Sequence, residues 1–378
     1  MSNTNMDYLY PEFWASAFDG LDVGEYNLQN LVSRKYENKI ADKGEKVIVP
    51  LQVDFGDADD FTPGNDLTPE NITQQKAEVT LDISKRKTIN LTAKELSLSP
   101  YELINTYGVG MVKSLLSTIN KEIYKEALKG KYYIDATSDI DTDDITAAGT
   151  MLSNNEISSM GRVLVASPDV MGALMKEDAF KLVNQTGISD VMRDGKITRR
   201  FGFDFYQNNA ISKYTPSNLT GQTDGTADAG DTVIDVKSFT DGTTPIRPGD
   251  LVEFFDGTES IGVYSVIDTT QHEDTGVTVK ITIDRGLTEN LADEDDVVII
   301  PVQSALCMVP SAIAFAARTY GVLPDKVGVK SGVGNYNGLP VRFSVFHDSK
   351  LGLTVQADVL CGVKLVNDKR IVKIVEDL

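Results

Sequence analysis

Residues 213–301 divide the sequence into two kinds of chain. They hold 5 Lys/Arg and 18 Asp/Glu, a net of −13, whereas the other 289 residues hold 31 and 38, a net of −7. Gly, Asp and Thr dominate there, and short β-branched runs recur at Thr232–Val236, Leu251–Phe255, Gly262–Ile267, Val277–Ile283 and Val297–Ile300. Regularly spaced short strands with Gly/Asp turns predict a small all-β barrel or sandwich. On either side helical and strand periods alternate, so the simplest architecture is an acidic β module, facing solvent, inserted into an α/β frame.

The frame begins with an arm, residues 1–45, carrying short helices at about Pro11–Phe18 and Asn27–Tyr36. Phe13, Trp14 and Phe18 are large apolar groups on so small a helix and need a partner surface. Strands follow at Lys46–Val53 and Lys76–Ile83, each with alternating apolar residues. Between them Asp54–Gln75 has Gly56, Pro63, Gly64, Asn65 and Pro69 but no apolar period. Ordering such a segment costs about 1–2 kcal/mol per residue, and it buries little of its own to offset this. Either it is mobile or a neighbouring molecule holds it.

Ser99-Pro100-Tyr101-Glu102 marks the start of a long helix: a capping serine, proline at the first helical position and glutamate three residues after the cap. Leu103, Tyr107, Met111, Leu115, Ile119 and Ile123 give its apolar face, and Gly130 can end it. About 30 residues make a spine about 45 Å long. A helix from Asp143 to Asn154 then leads to a buried strand, Val163–Ala166, and Ser167-Pro168-Asp169 caps a helix running to Val183. Asp194-Gly195-Lys196-Ile197 and Arg200–Tyr206 read as turn and strand. Near the end, Val341, Phe343 and Val345 alternate with Arg342 and Ser344. After the turn Asp348-Ser349-Lys350, with Gly352, the residues Leu353, Val355, Ala357 and Val359 alternate with Thr354, Gln356 and Asp358. That is a hairpin with one buried face.

Catalytic chemistry finds no foothold. His272 and His347 sit in polar turns, and no nucleophile-elbow pattern accompanies either. Asp139, Asp141, Asp143 and Asp144 imitate the start of a calcium loop, but Asp144 replaces its glycine and Thr150 its last ligand. A helix cap explains them better. Asp57, Asp59 and Asp60 read as a solvated loop. Gly108-Val109-Gly110 lacks the third glycine of a dinucleotide fingerprint and reads as close packing or a bend in the spine, and Gly332-Val333-Gly334-Asn335 is as weak a phosphate cradle. No catalytic, cofactor-binding or metal residue is assigned, and no cofactor is expected.

A net charge of −20 argues against a nucleic-acid grip. Lys85-Arg86-Lys87 and Arg199-Arg200 are the basic clusters, each a solvated strand face or the partner of an acidic patch on another subunit. Cys307 and Cys361 are expected as free buried thiols in a reducing compartment. Met1–Asp7 has neither the basic nor the apolar stretch of a secretory leader, and no apolar run is long enough to cross a bilayer.

Several short segments, in order, resemble tailed-bacteriophage major capsid proteins of the Hong-Kong-97-type fold, in the podovirus-coat-like branch with an inserted β-barrel domain. Gly44-Glu45-Lys46-Val47-Ile48-Val49-Pro50 looks like the strand entering that family's extended loop; Leu67–Thr73 with Val79-Thr80-Leu81-Asp82 looks like its exit. Leu91–Ser99 is similar to the lead-in to the spine helix, and Arg200–Asp204 to the segment before the insertion. Pro248–Val252 and Ile261–Val266 resemble strands of the inserted domain; Ala312–Arg318 and Asp358–Lys364 complete the match.

The resemblance implies an α+β capsid fold in five parts. These are an N-terminal arm (1–45), an extended β-loop (46–83), a spine helix with peripheral and axial α/β core (84–212), an inserted barrel (213–301), and the completion of the core with the C-terminal hairpin (302–378). It implies a major capsid protein, not an enzyme, that assembles with itself into hexamers and pentamers of an icosahedral shell. Scaffolding, portal and possible decoration proteins would be its partners. The shell, built in the cytoplasm of a bacterial host, would enclose double-stranded DNA without sequence-specific binding or contact with a membrane. Rival readings are a non-viral shell housing an enzyme, a β-domain surface-binding protein, and, last, a hydrolase with dispersed carboxylates.

Overall fold

The computed structural model describes residues 27–35, 46–51, 76–91, 108–136, 140–181, 197, 199–211, 219–240, 246, 249–257, 259–270, 278–300, 304–321, 329–347 and 353–376. The first arm helix with Phe13, Trp14 and Phe18, the Ser99 cap, Asp139, Asp57, Asp59, Asp60 and His272 lie outside them, as does the whole of the 54–75 segment.

Two sheets and one helix make the frame. The hairpin is present as β16 (Leu339–His347) and β17 (Leu353–Leu365), in the register Phe343↔Ala357 and Val345↔Val355. β15 (Val329–Tyr336) extends it beyond β16, and β14 (Ile313–Arg318) continues on the β16 side of β17. β3 (Ile83–Leu91) pairs along the opposite side, from Ile83↔Cys361 to Leu91↔Leu353. The spine is helix α1 (Val109–Ala127), about 28 Å of described helix. It lays Met111, Leu115, Leu116, Ile119 and Ile123 against Val341, Phe343, Val355, Ala357 and Val359.

The hairpin's second face is not simply solvated, contrary to the one-faced expectation. Ser344, Thr354 and Asp358 are buried too. A two-stranded ribbon, β1 (Lys46–Pro50) with β2 (Lys76–Thr80), lies across the sheet there, packing Val47, Val49 and Val79 on Ala314, Ala316 and Leu360. The approach is close at Gly362, where a Cβ would stand 2.1 Å from the Thr80 carbonyl oxygen.

The second sheet runs β4 (Tyr133–Ala136), β18 (Ile371–Glu376), β13 (Ser304–Met308), β5 (Arg162–Ala166), β6 (Phe203–Gln207). β18 is parallel to β4, β5 is parallel to β6, and β13 joins the two pairs antiparallel. Helices α2 (Thr142–Asn154), α3 (Pro168–Leu174) and α4 (Asp178–Lys181) cover one face. The other face, with Val163, Val165, Leu306 and Met308, joins the spine core, so β5 is buried on both sides as its unbroken apolar run requires.

The acidic module closes into a six-stranded antiparallel barrel in the order β10 (Glu259–Thr269), β11 (Val279–Ile283), β8 (Val233–Lys237), β7 (Leu219–Thr223), β12 (Asp296–Ile300), β9 (Leu251–Asp256). Ile234, Val236, Val252, Phe254, Tyr264 and Val266 help to fill it. No helix among the described residues is long and apolar enough to cross a membrane.

Three further expectations change. Asn27–Tyr36 is not a helix: Leu28–Asn30 form one 3-10 turn, and the chain then extends. Ser33 bridges to Ala314, its N–H donating to the Ile313 carbonyl and its own carbonyl accepting from the Phe315 N–H, and these sheet bonds outcompete a helix. The helix after Ser167 stops at Leu174 and restarts as α4. Gly110 has open space around it, so close packing is not its role.

Candidate assembly surfaces

The second part of the arm is held by a buried polar cluster rather than by apolar contacts alone. Asn120, on α1, accepts from the Leu28 backbone N–H (2.9 Å) and the Asn208 amide (2.9 Å). It donates to Gln29 Oε1 and the Leu116 carbonyl, both at 2.8 Å. Asn208 in turn donates to Asn27 Oδ1 at 3.2 Å. A buried amide with all its valences met fixes one geometry, because any other leaves an unpaired group. The arm is thereby clamped across the spine helix.

The barrel is locked to the core at one point of close approach. Gly249, at φ +101°, brings its backbone against the end of the spine, where a Cβ would lie 2.2 Å from Leu128 Cβ. Leu251 packs on Val375 beside it. Between them Lys373, only 1% exposed, donates to the carbonyls of Leu128 and Gly249 (3.2 Å each) and to Ser265 Oγ (2.5 Å). Burial pushes its pKa down to about 8, with Asp284 and Asp250 opposing in part. One ammonium thus ties helix end, barrel and sheet together.

Other buried charges also read as structure. Arg162 donates to the Ser158, Gly149 and Ile157 carbonyls at 3.0, 2.8 and 2.5 Å and to Ser153 Oγ at 3.0 Å, satisfying the carboxyl end of α2. Arg342 makes a two-pronged pair with Asp358, 3.0 and 2.6 Å, and lies over the Tyr320 ring.

The acidic run is a cap, as its spacing suggested. Asp141 Oδ1 accepts from the N–H groups of Asp143 (2.8 Å) and Asp144 (3.1 Å), and Asp144 Oδ2 accepts from the Asp141 N–H (3.0 Å). Partial burial raises the Asp144 pKa. Gly332–Asn335 lie in strand β15, and His347 ends β16 opposite Leu353. Cys307 and Cys361 are free and buried; desolvation raises both thiols, Cys361 to about 12. Among the described residues no three His, Cys, Asp or Glu side chains gather as a metal site.

Other features face outward. The two basic clusters differ. Arg199 reaches the Ser159 carbonyl (3.2 Å) and Asp204 (3.8 Å), whereas Lys85-Arg86-Lys87 lies on β3 with, among the described residues, an ion pair from Lys85 to Glu122 at 2.7 Å. Met160 and Phe201, 79% and 46% exposed, sit in the turns entering the paired strands β5 and β6. A shallow groove of about 540 Å³ runs over the barrel past Gly221, Phe255 and Val298. A cleft of about 190 Å³ lies between Lys35, Pro50 and Arg370. Sequence reasoning found the basic clusters and the cap. It missed Lys373, which reads as the exposed member of an alternating strand, and Asn120, which reads as a polar break in the spine's apolar face.

No protein-family model and no curated protein matches the sequence. Solved structures do match. A chain from Mycobacterium phage Che8 superposes with a TM-score of 0.53 at 13% identity, covering 91% of this chain and 89% of that one. A chain from the capsid of an empty GTA particle gives 0.50 at 10% identity, covering 94% and 91%. Likeness over nine-tenths of both chains at such identity is likeness of fold, and the chain therefore has a phage capsid protein fold.

Proposed function

We propose that this chain is the major capsid protein of a tailed bacteriophage, assembling with itself into hexamers and pentamers of an icosahedral shell around double-stranded DNA. The observation that carries the reading is the capsid-type fold along nearly the whole chain. In Hong-Kong-97-type terms α1 is the spine and the β1–β2 ribbon is the base of the extended loop. The sheet around β17 belongs to the peripheral part, and the sheet of β5 and β6 to the axial part. The five-part division, 1–45, 46–83, 84–212, 213–301 and 302–378, follows from that correspondence.

An arm clamped across a helix and a ribbon lying on a sheet support a building block whose outlying segments are fixed in place on its frame. The chain's role is structural rather than catalytic. Its charge of −20 suits a wall that encloses a polyanion without binding it. Scaffolding, portal and decoration proteins are its proposed partners, the virion its proposed location, and the host cytoplasm its site of assembly.

Electron microscopy of the purified protein, alone and then with a candidate scaffold, tests the proposal. Closed or aberrant shells, sheets or capsomer rings are the expected result. A monodisperse monomer under both conditions refutes it.

A further inference from the structure

The cleft of about 190 Å³ between the arm, the ribbon and the approach to β18 runs against the charge of the chain. The protein carries a net −20, yet two cations, Lys35 and Arg370, line this cleft and no carboxylate does. Ser33, Ser311 and Asn367 add two hydroxyls and an amide, and Pro50 closes the ribbon side. Asp368, close to Arg370 in sequence, is exposed and is not part of the wall.

Bonds around the cleft fix its donors in place. Ser33 is held through its backbone to Ile313 and Phe315, and Arg34 beside it lies over the Phe315 ring, 5.8 Å from the centroid. Arg370 donates from one guanidinium nitrogen to Ser311 Oγ at 2.7 Å. Asn367 Oδ1 accepts from the Lys369 N–H at 2.9 Å, which commits the amide oxygen and leaves the amide nitrogen as a donor. Among the described residues Lys35 has no ion pair and the Asn367 nitrogen has no acceptor.

Two like charges on one concave wall repel unless an anion lies between them, and hydrogen bonds from charged donors to such an ion are strong. The donors come from three separate segments of chain and so face the space from several sides. A carboxylate offers two coplanar oxygens; a phosphate or sulfate offers four, arranged as a tetrahedron. A nucleic-acid strand needs a groove of cations along its backbone, which a cleft of this size does not give. We infer that this cleft binds a small tetrahedral oxyanion of the phosphate class, and that the bound ion ties the arm to the segment before β18. The inference goes beyond the shell reading and stands whether or not the chain assembles.

Isothermal titration calorimetry of the full chain with inorganic phosphate, at an ionic strength held constant with chloride, tests it. Saturable binding is expected, weakened about ten-fold by Lys35→Gln, which removes one charged donor, and kept by Lys35→Arg. Lys35 is exposed, so both variants keep the circular dichroism of the wild type. Bound phosphate also raises the urea midpoint of the wild type, and hydrogen exchange slows first in residues 33–35 and 366–371. Absence of saturable binding overturns the site. Equal affinity in Lys35→Gln overturns it as well, because the ion then sits elsewhere, and so does an equal response to acetate, because the cleft then selects no tetrahedral ion.

Discussion

Replacing Lys373 by Met removes the ammonium that the fold buries between barrel and core, and the consequence is legible in the pH dependence of stability. The amine has a pKa near 10.5 when solvated and about 8 in the native chain. Below about pH 8 both states are protonated and the folded state carries the cost of a buried charge. Between about 8 and 10.5 the unfolded state holds a proton that the native state has released, so stability rises with pH through this window. Integrated from about pH 7 to about pH 9.5, the gain is about 2 kcal/mol. The assay is urea unfolding of wild type and Lys373→Met at constant ionic strength, taking the difference at each pH. Subtraction cancels the other titrating groups, and Tyr133, whose pKa burial raises, stays protonated. The wild-type-minus-Met difference is expected to climb by that amount. A flat difference refutes the reasoning, because the amine is then solvated; a falling one means the lock favours the ammonium.

Asp358→Ala leaves the Arg342 guanidinium almost buried without its carboxylate, and we expect a loss of about 3 kcal/mol or more in urea unfolding, with Arg342→Met partly restoring the double variant. Asn120→Leu strands Gln29, Asn208 and the Leu28 N–H in the interior. It is expected to cost about 2–3 kcal/mol and to raise hydrogen exchange in residues 27–35 before the rest of the chain. Excising 213–301 uncovers Lys373, Leu128 and Val375, so the shortened chain is expected to unfold at lower urea and to assemble poorly. Unchanged folding and assembly would refute a stabilising role for the barrel.

Much of this was readable where one force acts along a short stretch of chain. The hairpin's alternation, the Asp141 cap and five of the six barrel strands are local patterns, and the structure carries each. β7 escaped notice because Leu219-Thr220-Gly221-Gln222-Thr223 has one large apolar residue and a central glycine; closure of the barrel makes it a strand. Asn27–Tyr36 has helical apolar spacing, yet two backbone bonds to Ile313 and Phe315 draw it into the edge of a sheet nearly 300 residues away in sequence. The buried side of Thr354 and Asp358 was equally hidden, since Thr354 meets Asn90 on β3 and Asp358 is covered by Arg342. What the sequence withheld was, each time, a contact between segments far apart along the chain.

The order of the second sheet has a temporal consequence. β18 lies between β4 and β13, so the sheet joins residues 133–136 to 371–376 and has a gap until residue 376 has been made. The barrel, whose strands all fall between Leu219 and Ile300, has no such wait. During synthesis the barrel is therefore expected to fold first, and the frame last, through its most distant pairings. A ribosome-bound chain would carry a finished barrel on an unfinished subunit, and neighbours would meet a complete surface only after β18 had been inserted.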